Sequence, residues 1–78
     1  MREPLDVRLL KAHAEKDREA LVTLYAQAAD QTETEDARAF YLTHAYVFAL
    51  ETGHPETRAI NTRLVALGRE APLPPDRT

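Results

Sequence analysis

The chain reads as an all-α protein in which an antiparallel helical hairpin is followed by a third helix. Three observations lead there. Apolar residues recur at helical spacing from the start of the chain to Asp30. Polar, turn-forming stretches interrupt them at Gln31–Asp36 and at Thr52–Pro55. Between those interruptions lies a segment that is apolar on almost every side.

The first helix opens near Pro4, whose missing N–H suits a first turn, with Asp6 behind it. It is expected to run to about Asp30. On a helical wheel Val7, Leu10, Ala14, Leu21, Leu24, Tyr25 and Ala28 share one face, and Arg8, Glu15, Lys16 and Glu19 lie opposite. Thr32 and Glu35 have capping-box spacing, with Glu33 and Thr34 as other starting points for the second helix. The short linker predicts antiparallel packing.

The second helix spans about residues 34–52. Ala37, Phe40, Tyr41, Val47 and Phe48 fall on one face, and Leu42, Ala45, Tyr46, Ala49 and Leu50 on the other. A helix apolar on both sides belongs in the middle of the structure. Gly53 is placed to end it in the left-handed conformation, and Pro55 to open the third helix. That helix covers about 55–68, with Ile60, Leu64 and Leu67 inward and Gly68 as its stop. Residues 1–70 thus form one domain. Residues 71–78 hold three of the five prolines and read as a flexible proline-containing tail, a composition also used by peptide ligands.

Ala45, Leu50, Gly53, Pro55, Ala59, Leu64, Leu67, Gly68 and Arg69 resemble the junction between tetratricopeptide-type repeats. The resemblance covers residues 34–69. Thr34, Thr43 and Leu50 depart from the family's small alanines when Tyr25 and Pro55 are set on its tyrosine and proline. It implies a three-helix array that packs helix on helix, of a kind that often holds a peptide.

With 78 residues and no cysteine, the chain builds a thin core without disulfide or thiolate support. The absence of cysteine accords with a cytoplasmic location. The formal charge of −3 is mild. Over residues 33–52, Glu33, Glu35, Asp36 and Glu51 against Arg38 give −3. Over 55–70, Arg58, Arg63 and Arg69 against Glu56 and Glu70 give +1. No basic cluster points to nucleic acid, and no apolar run is long enough for a membrane span. The sequence lacks serine, cysteine and tryptophan, as well as a phosphate loop or nucleophile elbow, which points away from an enzyme; no cofactor is expected.

A few polar residues sit among apolar ones. Asp17 falls inside the first helix's inward arc, one turn after His13. A carboxylate there is either paired, as in a small site with His13, or marks a bend or the edge of the core. His44 lies amid Phe40, Tyr41, Val47 and Phe48, with Glu51 on the same face. His13, Asp17, His44 and Glu51 are therefore the candidates for a ligand or metal. Counted from a turn near residue 32, His13 and His44 differ in height by roughly 10 Å, while Tyr25 and Tyr41 are level. The leading expectation is a structural or protein-interaction module acting through apolar helix faces. Its partner is a protein, first a second copy in a homodimer, with Leu42, Tyr46, Ala49, Leu50 and Val65 at the interface. A small-ligand or metal-binding module is the alternative.

Overall fold

A computed structural model describes residues 3–74. Its helices are α1 (Leu5–Ala14), α2 (Arg18–Gln31), α3 (Glu35–Thr52) and α4 (Thr57–Ala66). Four helices replace the expected hairpin plus third helix, and with that count the tetratricopeptide-like array is set aside. The difference arises at one turn. The predicted first helix is two helices, α1 and α2, separated by Glu15–Asp17.

The break is a Schellman turn built without glycine. Lys16 takes the left-handed conformation, with φ of 54°. Its N–H donates to the carbonyl of His13 at 3.1 Å, and the Asp17 N–H to that of Ala12 at 2.9 Å. The Asp17 side chain then accepts from the Ala20 N–H at 3.2 Å, capping α2. Asp17 is therefore an exposed helix cap at a bend, not a carboxylate in a core.

The bend resets the phase of α1. Leu5, Leu9 and Ala12 pack toward Leu21 and Leu24. Val7 and Leu10, placed inward on the wheel of an unbroken helix, are 43% and 70% exposed. A separate, larger core joins Val22 and Ala29 of α2, Leu42, Ala45, Tyr46 and Ala49 of α3, and Ile60 and Leu64 of α4. Tyr25 and Phe48 pack against both cores.

The other boundaries follow local chemistry. Thr34 caps α3 by accepting from the Ala37 N–H at 3.2 Å. Gly53, with φ of 61°, and Gly68, with φ of 72°, end α3 and α4 in the left-handed conformation, as their positions imply. α4 starts two residues later than Pro55 suggests. His54 shapes that turn: its Nδ1 accepts from the Glu56 N–H at 3.1 Å, and its carbonyl accepts the Thr57 hydroxyl at 2.7 Å.

α3 sits between α2 and α4 and runs antiparallel to both. Arg18 at the start of α2 meets Glu51 near the end of α3 at 3.8 Å. Arg69 beyond α4 meets Asp36 at the start of α3 at 2.5 Å, and Arg63 of α4 meets Asp30 of α2 at 2.6 Å. These exposed pairs are each worth at most about 1 kcal/mol. Ala71–Pro74, expected within the flexible tail, are hydrogen-bonded back to α4. The remainder of that tail lies outside the described residues.

Lys16→Gly tests the bend. Relief of the left-handed strain, less the added freedom of the unfolded chain, gives a net gain of about 0.5–1 kcal/mol. Thermal melting should therefore shift upward by a few degrees. A lower midpoint would show that the Lys16 side chain stabilises the turn in its own right.

Candidate functional site

Two neighbouring features on α3 form the candidate site: an aromatic cluster where it meets α1 and α2, and an exposed apolar stripe beside it. The cluster is centred on Tyr25. His44 stacks on the Tyr25 ring at 5.0 Å between centroids, Phe48 stacks at 6.1 Å, and Tyr41 lies tilted at 6.3 Å. His13 meets Tyr25 edge-on at 5.8 Å, with its Nε2 2.9 Å from the Tyr25 hydroxyl. His13 also touches the Phe48 ring edge-on at 6.0 Å, and Phe40 reaches His44 at 4.5 Å.

The levels of Tyr25 and Tyr41 agree with counting outward from the α2–α3 turn. Both histidines reach Tyr25, His44 at its face and His13 at its hydroxyl. Burial, and then the charge of Tyr41, raise the Tyr25 pKa above 10.0. Its hydroxyl keeps its proton through neutral pH and is available to donate to His13.

The cluster is built from single contacts and does not converge on a metal. Asp17 is occupied as the α2 cap, and Glu51 lies at the surface beside Arg18. His44 directs Nδ1 to the carbonyl of Phe40 at 2.9 Å. Of the four predicted ligands, His13 and His44 thus meet at Tyr25, while Asp17 and Glu51 lie apart from them, one capping α2 and the other beside Arg18. Among the described residues no group of three or more His, Cys, Asp or Glu side chains is placed to hold a metal ion.

The apolar stripe comprises Phe40, Val47 and Leu50, at 58%, 48% and 52% exposure. At 3.6 residues per turn they fall within an arc of about 80° on the outer side of α3. Thr43, His44, Val47 and Phe48 line a shallow hollow of about 250 Å³ along it. Of the residues expected at an interface, Leu42, Tyr46 and Ala49 are instead buried in this chain's own core. Val65 is half-buried on α4, and Leu50 remains in the exposed stripe. The two sides of α3 were distinguishable as apolar, but which parts of them α2 and α4 cover depends on helix rotation, which apolar content alone does not fix.

Asn61 had no sequence signal, because a lone asparagine within a helix pattern ordinarily faces water. It is 5% exposed and is the buried polar residue among those described. No protein family, curated protein or solved structure matches this chain.

The raised Tyr25 pKa links the cluster to alkaline stability. The unfolded chain releases the phenolic proton first, near pH 10.0, while the folded chain holds it. Tyr25's contribution is therefore complete below pH 10.0 and falls as the pH rises toward its higher folded value. Tyr25→Phe should flatten the loss of stability above that pH in denaturant titrations. It should also lower neutral-pH stability by about 0.5–1.5 kcal/mol through the lost bond to His13. An unchanged alkaline slope would remove Tyr25 as its source.

Proposed function

We propose that this chain is a small protein-interaction module that acts through the outer apolar face of α3, with a second copy of itself as the partner. The observation that carries the reading is the exposed row Phe40, Val47 and Leu50 on one side of a helix whose other side is fully packed. Isolated apolar residues at a surface are ordinary, but a row along one helix is a contact surface. On α1, Val7 and Leu10 are also exposed. A chain of 78 residues gains much from covering such a surface, and closed two-fold pairing is the commonest way to do so.

Among the described residues no helix is long and apolar enough to cross a membrane.

Sedimentation equilibrium of the purified chain over about 1–100 μM tests the proposal, a range matched to a contact worth about 6–8 kcal/mol. The expected mass rises from 8.8 kDa toward twice that value. Val47→Asp places a carboxylate in the contact and should hold the chain at the single mass without lowering its melting temperature by more than a degree or two. A constant 8.8 kDa across the range would end the self-pairing. An undisturbed dimer in Val47→Asp would move the interface off α3.

A further inference from the structure

Asn61 projects from α4 beside the core residues Ile60 and Leu64 and uses both hydrogens of its amide. Its Nδ2 donates to the Tyr46 hydroxyl at 3.3 Å and to the Ala71 carbonyl at 2.9 Å. Its Oδ1 accepts from the Leu73 N–H at 3.1 Å. Arg58, one helical turn earlier, donates to the Pro74 carbonyl at 2.7 Å. The chain from Ala71 to Pro74 is thus gripped through its main chain by side chains of α4.

We propose that the α3–α4 face around Asn61 is a binding site for an extended, proline-containing peptide, occupied in cis by Ala71–Pro74 and able to take the same sequence from another chain. This site is separate from the apolar stripe of α3 and stands independently of it.

The pattern of bonds defines what the site reads. In an extended chain the carbonyl of one residue and the N–H two residues later point the same way, as they do when one residue bridges a parallel strand. Asn61 joins that pair across Pro72. The N–H that Pro72 lacks would face away from Asn61, so proline is free of penalty there. Leu73 is different. Between Pro72 and Pro75 it is the sole residue with an N–H, and Asn61 takes it. Proline is therefore tolerated on either side of position 73 and excluded at it.

Proline also pre-orders the segment. Ala71, Leu73 and Pro74 each precede a proline and are biased toward extended backbone, so little freedom is lost on docking. The protein side is equally prepared, because departure of the segment strips Asn61 of two of its three partners. A chain that offers the same carbonyl and N–H restores those two bonds as it closes Asn61 off from water. Leu73 itself is half-buried, which adds a side-chain contact to the main-chain grip.

The test uses the full chain carrying Leu73→Pro, which removes the amide that the cis segment offers while leaving the α3–α4 face intact. A fluorescent peptide of residues Ala71–Thr78 is titrated and followed by anisotropy. It should bind the Leu73→Pro chain at least about tenfold more tightly than the wild-type chain, whose own segment competes at high effective concentration. Adding Asn61→Asp, which removes both amide donors, should abolish the gain, and a peptide that itself carries Leu73→Pro should not bind. Should Asn61→Asp unfold the domain by circular dichroism, Arg58→Ala serves instead, with a several-fold loss expected. Binding that is equal in the wild-type, Leu73→Pro and doubly substituted chains would overturn the proposal, as would no binding to Leu73→Pro up to about 1 mM.

Discussion

The turn at Glu15–Asp17 sets the rest of the architecture. A continuous helix from Leu5 to Gln31 would carry α1 away from α3 along the line of α2. Lys16 in the left-handed conformation turns the chain, and Asp17 restarts it with a cap. α1 can then lie against α2 with Leu5, Leu9 and Ala12 inward. The same rotation brings His13 to Tyr25 and Phe48, and turns Val7 and Leu10 to the surface. A single non-glycine residue with positive φ thus decides the position of the first helix, the aromatic contacts and much of the exposed apolar area. The strain it carries is small beside the apolar burial of α1, where one Leu is worth about 1.5–3 kcal/mol.

Tyr25 and Phe48 hold the resulting two-part core together. The α1–α2 core is small, and the α2–α3–α4 core does not include α1. The stacked Tyr25–Phe48 pair belongs to both, so disturbance of either ring would reach both sets of contacts. Tyrosine suits the joint because its ring is buried while its hydroxyl reaches His13 at the rim. Small residues elsewhere let the helices approach: Ala29, Ala45 and Ala49 are fully enclosed. The centre of the domain is therefore made from close backbone approach as much as from large side chains.

The sequence revealed the boundaries that are written in glycine: Gly53 and Gly68 each take the left-handed conformation their positions imply. The start of α3 was narrowed only to Thr32, Glu33 or Thr34; Thr34 makes the cap, and Thr32, the residue with capping-box spacing, ends α2 instead. Lys16 has no such signature. Its turn could be inferred only from Asp17 standing in an apolar arc, which a bend or a paired carboxylate explains equally well. That one ambiguity propagated into the helix count and the inward face of α1. The candidate site was visible in part: Tyr25, Tyr41, His13 and His44 stand out by type, but their grouping requires α1 to fold back. Asn61 escaped notice because burial is a property of how α4 packs on α3 and of where the following segment lies, neither of which a helical pattern specifies.

The exposed side of α3 is more apolar than its composition suggests. Two polar residues, Thr43 and His44, interrupt the row from Phe40 to Leu50. Each turns back on its own helix: the Thr43 hydroxyl donates to the Ala39 carbonyl at 2.7 Å, and His44 Nδ1 pairs with the Phe40 carbonyl at 2.9 Å. Such local bonds are available to short polar side chains and leave less of their hydrogen-bonding capacity for water. The Thr43 methyl and the His44 ring face thereby extend the surface offered by Phe40 and Val47, and Phe40 lies against that ring at 4.5 Å. Covering this face would remove apolar area from water without first breaking those two bonds, so its desolvation is less costly than that of a face whose polar groups depend on solvent. Asp36 and Glu51 lie at the two ends of this row, where Arg69 and Arg18 hold them.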